Sequence, residues 1–242
     1  MSTSLVIDPR FNGPEHSANG GYACGCVAER LEAAGHPCVR VNLRAPPPLG
    51  RPLALELHEE TRTELRDPSD DRLIADADAA RCEIELPSPP SFDEAKELST
   101  HYTGFVQHAL PHCFVCGPKR SPDDGLLIHP GRDPKHPTAP AAAPWTPHPA
   151  FGEADGAVHR RVVWAALDCP GYFGVAEPGE LALLASMTGR VDHRPKVGER
   201  CVVLGWSLGR EGRKLRAATA AFGQDGRVLG FSEQLWVQIR PA

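Results

Sequence analysis

The 242-residue sequence predicts an α+β protein built from two similar halves. Three observations predict it. A helix-like segment followed by strand-like runs occurs twice. In both places the runs are joined by short turns, which favours antiparallel pairing over a parallel sheet with crossover helices. Thirteen of the 25 prolines fall between Pro87 and Pro149, so the middle of the chain reads as connection with ordered sequence on either side. A long helical bundle would tolerate that many prolines poorly, because each interior one removes a hydrogen bond and clashes with the preceding turn. Hydrophobic residues at 41% and charged residues at 24% exclude a disordered chain.

The elements follow in order. Residues 19–34 (NGGYACGCVAERLEAA) read as a helix, capped by Asn19 and closed by Gly35 just past its end. Its small residues suit a largely buried helix set close against a sheet. Strand-like runs follow at 38–44, at 52–66 as a hairpin turning near Glu59-Glu60, and at 72–80. Alternation is clear in Leu53, Leu55, Leu57 and in Leu73, Ala75, Ala77. Ser91 with Glu94 has capping-box spacing, which predicts a short linking helix over 91–100. In the second half 157–168 (AVHRRVVWAALD) reads as a helix. Strands are predicted at 181–192, 200–210, 213–223 and 227–239, with hairpin turns at Gly209–Gly212 and at Gln224-Asp225-Gly226. The halves also align by residue. VNLRAPPPLGRPL (41–53) lies over VDHRPKVGERCV (191–202), with Gly50 over Gly198.

Composition narrows the function. The net charge is −5 and no basic patch stands out, so nucleic acid is not an expected partner. The start, MSTSLVIDPRF, lacks a basic segment followed by an apolar one, so no signal peptide is expected. The longest apolar stretch, around Leu181 to Met187, is far below the ~20 residues of a membrane span. A cytoplasmic location is the expectation. The eight cysteines (24, 26, 38, 82, 113, 116, 169 and 201) are scattered, and they read as reduced thiols.

Three strings carry a family resemblance. FNGPEHSANGGYACG (11–25) resembles the approach to a hotdog helix in acyl-CoA thioesterases. HCFVCGPKRSPDDGLLIHPG (112–131) resembles the N-terminal segment of such domains, a CxxCG followed by a Gly-Leu strand start at Gly125. WTPHPAFGEADGAVHRRVVWAALDCPG (145–171) resembles their second strand and helix. Together the chain resembles a double-hotdog thioesterase. That implies two long central helices, each wrapped by an antiparallel sheet, packed as a pseudo-dimer. The halves would be 1–88 and 112–242, with 89–111 as linker. It implies hydrolysis of an acyl-CoA or other acyl thioester with no cofactor, by a monomeric pseudo-dimer or a homodimer.

Candidate site residues come from the two helix starts. Asn19-Gly20-Gly21 opens the first helix, where free N–H groups and the helix dipole favour a developing negative charge. Glycines admit a ligand carbonyl close to the backbone. In thioester hydrolysis this turn would be the oxyanion hole. It is equally read as a helix cap with glycines for close packing. The resemblance implies a carboxylate nine residues after the opening His or Asn. His159 plus nine is Asp168, whereas Asn19 plus nine is Ala28, and Arg160-Arg161 stand where the first half has Gly20-Gly21. Each half thus keeps one part, and one composite site with Gly21 facing Asp168 is expected. Asp168 would act as general base or nucleophile, its pKa raised beside Trp164 and Leu167. The bland reading of Asp168 is the end of one helix and the cap of the next, since Pro170 follows two residues later.

Gly20, His16, His159 and Trp164 are the expected substrate-lining residues. His112, Cys113 and Cys116 form H-C-x-x-C, half of a zinc site. With no second CxxC and the other cysteines distant in sequence, a tight turn is expected there and no metal. Cys24 and Cys26 read as small core residues. Two other functions stay open: a non-catalytic acyl-CoA-binding protein, and a hotdog hydratase or dehydratase. The second would follow from an HxxxGxxxxP string. His16 with Gly20 and His148 with Gly152 supply its first half, but Gly25 and Ala157 stand where Pro belongs.

Overall fold

The computed structural model describes residues 2–177 and 179–239. Ten strands form a single antiparallel sheet. They are β1 (Ser2–Val6), β2 (Cys38–Leu43), β3 (Pro52–His58), β4 (Arg62–Asp67), β5 (Arg72–Ala79), β6 (Ala141–Trp145), β7 (Ala182–Val191), β8 (Cys201–Glu211), β9 (Lys214–Phe222) and β10 (Val228–Gln238). The helices are α1 (Gly20–Ala33), α2 (Phe92–Ser99), α3 (Arg160–Ala166) and α4 (Cys169–Val175). Across the sheet the order is β1-β3-β4-β5-β2-β7-β10-β9-β8-β6. Read inward from its own edge, each half has the same order, and the two meet where β2 pairs antiparallel with β7, Val41 opposite Met187.

The repeat extends to single hydrogen bonds. The Asn19 amide donates to Phe11 O at 2.8 Å, and the His159 amide to Phe151 O at 3.0 Å. Ala18 N to Pro47 O and Val158 N to Pro195 O are both 2.9 Å. Gly50 and Gly198, aligned in sequence, have φ of +67° and +79°, which glycine adopts without steric cost. Their amides donate to Ile7 O and Pro147 O.

Strand alternation places the predicted strands within one or two residues of their observed ends. Glu59 and Glu60 take positive φ in the β3–β4 turn. Ser91 and Glu94 form the predicted capping box at the start of α2. The edge strands β1 and β6 have little local signal; β6 reads AAAPW, and its proline is tolerated at the sheet edge, where β8 is its one partner strand among the described residues and Ala142 alone bridges to Gly131 on the other side.

Three expectations are corrected. The second central helix is not long: it breaks at Asp168 into α3 and α4, seven residues each. Pro170 has no amide to donate to the carbonyl of Ala166 and its ring clashes with that carbonyl, so α3 cannot run on through it, and Asp168 sits at φ −78°, ψ −80°. The carbonyl of Leu167 at the break accepts hydrogen bonds from the buried side chains of Thr219 (2.8 Å) and Gln234. No strand starts at Gly125. Leu127 has φ +52°, and the amides of Leu126 and Ile128 donate to Phe114 O and Val115 O.

As expected, α1 lies against the sheet, at β2, β4 and β5, and its glycine face also meets another helix. A Cβ at Gly21 would stand 2.5 Å from Asp168 Cβ, and one at Gly25 2.8 Å from Trp164 Cβ. Finally, Cys38 and Cys82 are not thiols but a disulfide, Cα atoms 6.0 Å apart. Cys38 opens β2, Cys82 follows its neighbour β5, and the Ala80 amide donates to Cys38 O, which brings the two side by side. Among the described residues no helix is long and apolar enough to cross a membrane.

Candidate functional site

The seam between α1 and α3–α4 brings Asn19, Gly21 and Asp168 together. Asn19 caps α1: its Oδ1 accepts from the Tyr22 amide at 2.9 Å. Its Nδ2 faces the other way and donates to Asp168 Oδ2 at 2.6 Å. The Gly21 amide donates to the same oxygen at 3.0 Å. Asp168 stands at the cap position of α4, but its side chain makes no capping bond there. The carboxylate is turned instead to the start of α1, where the helix dipole favours negative charge.

Asp168 is 2% exposed. Burial pushes its pKa up to about 7, against hydrogen bonds from Gly21 and Asn19 that favour the charged form; the nearby Cys113 thiol adds to the rise. Its Oδ1 is buried without a hydrogen-bond partner among the described residues. A carboxyl group that changes charge near neutral pH suits proton transfer.

None of the other sequence candidates donates a hydrogen bond to the Asp168 carboxylate among the described residues. Trp164 is fully buried; its ring packs against Gly25 and Gly189, and its Nε1 donates to Glu32 at 3.1 Å. It is a core residue with no surface to offer a substrate. Gly20 is half-buried against Leu184 and Leu43. His16 is exposed and lines a cavity of about 570 Å³ with Pro46, Leu49, Arg51 and Arg72. His159 caps α3 through Nδ1, which accepts from the Arg161 amide, and its Nε2 lies 3.7 Å from Glu153. His148 caps a short turn at Ala150 and lines a second cavity of about 200 Å³. Neither cavity includes Asn19, Gly21 or Asp168.

The reciprocal position, where α3 begins against the middle of α1, has different chemistry. Arg161 Nε donates to Glu29 at 2.8 Å, and Arg160 lies 3.4 Å from Glu32. Ion pairs stand there in place of the glycine amide and the buried acid.

Sequence reasoning missed the company Asp168 keeps. Cys113 Sγ lies 3.7 Å from Cys169 Sγ, Cys116 joins them, and Asn19 Nδ2 is 3.9 Å from both Cys113 and Cys169. The available signal was the H-C-x-x-C string together with a cysteine directly after the candidate acid. Nothing in their linear spacing says that they meet.

No protein-family model matches this chain, and no curated protein matches it in sequence. Solved structures do. A protein from Novosphingobium aromaticivorans classed as a thioesterase superposes with a TM-score of 0.66 at 14% identity, covering 99% of this chain and 96% of its own. A hot dog fold protein of unknown function from Alicyclobacillus acidocaldarius gives 0.61 at 14% identity, over 100% and 94%. The acyl-CoA thioesterase II TesB2 from Mycobacterium marinum gives 0.58 at 10% identity, over 100% and 94%. Likeness at these identities shows the fold, and the fold is the hot dog.

Proposed function

We propose that this chain hydrolyses an acyl thioester, of the acyl-CoA class, at one site in the α1/α3–α4 seam. The observation that carries the reading is the convergence of Asn19 and the Gly21 amide on the buried carboxylate of Asp168. The two groups come from opposite halves of the repeat. This supports reading the chain as a fused pair that supplies both sides of a site which separate hotdog subunits would share.

In this mechanism Asp168 takes the proton of an attacking water, or attacks the thioester carbon itself to give a mixed anhydride that a water then splits, restoring the carboxylate. The carbonyl oxygen, as it gains charge, turns to the start of α1. The amide of Gly20 has no hydrogen-bond partner among the described residues and is the open donor of that turn. Asn19 orients the carboxylate through Nδ2 while its Oδ1 secures the helix. The leaving thiolate takes a proton, giving free acid and free thiol.

A second reading is a protein that binds an acyl thioester without turning it over. The burial of Asp168 favours it, because a water and a thioester must both reach that carboxylate. One experiment separates the two. Purified protein is given a panel of acyl-CoA chain lengths while free thiol is followed, with binding measured by calorimetry in parallel. Hydrolysis predicts thiol release that Asp168→Asn lowers by about 10²-fold or more, as expected for loss of a general base. Binding without release from wild type, or equal release from the variant, rejects the catalytic reading.

A further inference from the structure

We infer that Cys113, Cys116 and Cys169 form a three-thiolate site for a zinc ion. This stands apart from the thioesterase reading and rests on the cysteines themselves. All three sulfurs are buried and lie within 4.8 Å of one another. Zinc–sulfur bonds of about 2.3 Å at tetrahedral angles set neighbouring sulfurs about 3.8 Å apart. Cys113 and Cys169 are 3.7 Å apart, whereas a disulfide would hold them at about 2.05 Å.

The backbone around Cys113 is folded for a metal. The sequence Cys113-Phe114-Val115-Cys116-Gly117 makes a tight turn in which the Gly117 amide donates to Cys113 O at 2.9 Å. A Cβ at Gly117 would meet that oxygen at 2.5 Å, so only glycine fits. Tyr102 OH donates to Cys116 O at 2.8 Å and fixes the turn from outside. Cys169 comes from the first turn of α4. The Asn19 amide, 3.9 Å from two of the sulfurs, is a donor beside the ligands, as outer partners of metal sites are.

Three thiols in one apolar pocket fit a soft-ligand cation better than any pairing. Two can join as a disulfide, and the third is then left over. With zinc, each thiol releases its proton to solvent and the ion compensates the charge. No fourth Cys, His, Asp or Glu among the described residues joins the group. His108 is close by, but its Nδ1 accepts from the Leu110 amide, so its buried Nε2 carries the proton and is no ligand. The unpartnered Oδ1 of Asp168, next in the chain to Cys169, is a buried acceptor at the same place. A water in the fourth position is the donor it lacks. The ion would tie residues 113–116 to α4 and so hold the seam from the side opposite Gly21.

The test is metal content. Full-length protein purified from zinc-supplemented medium is measured by elemental analysis and native mass spectrometry, and then after exchange with cobalt. Expected are about one zinc per chain and, with cobalt, the visible bands of a tetrahedral thiolate complex. Cys169→Ser should retain less than about a tenth of the zinc, while Cys24→Ser, at a buried cysteine outside the group, should keep about one. Should Cys169→Ser not fold, wild type answers alone. Denaturation with a chelator and a thiol reagent should release one zinc and expose six thiols buried in the native protein, the three ligands among them. Metal-free wild type, zinc retained by folded Cys169→Ser, or a disulfide among these three cysteines in peptide mapping overturns the site.

Discussion

The amide of Gly21 donates to Asp168 Oδ2 at 3.0 Å across 147 residues of chain. An N–H at the start of α1 therefore meets the carboxylate at the break between α3 and α4. Asn19 binds the same oxygen and caps α1 with its other end. One side-chain amide thus couples the geometry of a helix start in the first half to an acid in the second. The seam is close because both ends of the contact are bare: a glycine on one helix, a helix break on the other.

That closeness predicts the cost of one methyl group. A Cβ at Gly21 would stand 2.5 Å from Asp168 Cβ and 2.7 Å from Trp164 O. The Trp164 oxygen is backbone and cannot step aside. Gly21→Ala should cost ~1–3 kcal/mol by overpacking, or about 2–4 °C of Tm per kcal/mol for a chain of this size. Gly20→Ala meets the movable end of Leu184 and should cost less. Scanning calorimetry on both variants checks the order; equal Tm values would contradict it.

The reciprocal position predicts that only one of the two seams works. Replacing both Arg161 and Glu29 by Met removes an ion pair and puts apolar groups of similar length in its place. Stability should move by no more than ~1–2 kcal/mol. Thiol release from acyl-CoA should stay within about twofold of wild type. A collapse of turnover in this folded double variant would place the working site on the other side.

Cys38 and Cys82 close a loop with a sequence separation of 44. Loop-closure entropy assigns such a bond ~4 kcal/mol, and native bonds typically contribute ~2–4 kcal/mol. The Cys38→Ser, Cys82→Ser double variant should therefore unfold at clearly lower urea than oxidised wild type, and reductant should move only the wild type. Alkylation under denaturing, non-reducing conditions in chelator should count six thiols. Eight would show that the pair is open.

Asp76 on β5 predicts an acid-sensitive edge to stability. Burial works against its charge, but hydrogen bonds from Arg44 and Asn42 and the charges of Arg44 and Arg62 outweigh it, and hold its pKa below the ordinary 3.8. A carboxyl group depressed in the folded state contributes stability that is present above the unfolded pKa and lost as pH falls through the folded one. Asp76→Asn should cost ~2 kcal/mol at pH near 7, the scale of hydrogen bonds to a charged group. The difference from wild type should shrink in urea melts below about pH 3. A difference independent of pH would mean that the charge of Asp76 is not what matters.

The repeat, the strands and the first helix were legible in the sequence because their signals are local. Alternation at Leu53–Leu57 depends only on which face of one strand is wet, and Asn19 and Gly35 mark their helix within a turn of its ends. Pro170 likewise marked Asp168 as the end of one helix and the cap of the next, a break that the long helix implied by the resemblance does not include. The edge strands were not legible, since AAAPW alternates nothing and is ordered by pairing with β8 and a bridge from Ala142 to Gly131.

What no local pattern carries is which distant groups meet. The sequence by itself determined two halves, with a glycine helix start in one and an acid at the matching helix end in the other, the two parts of the proposed site. Only the tertiary structure decided that β2 lies beside β7. That pairing sets the two halves antiparallel and turns α1 onto α3, so that Gly21 reaches Asp168 and Arg161 reaches Glu29, while within the second half the fold brings Cys169 to Cys113. Each of these contacts spans 56 to 147 residues. Helix and strand periods fix faces over a few residues, and contacts at such range follow from how whole faces are stacked.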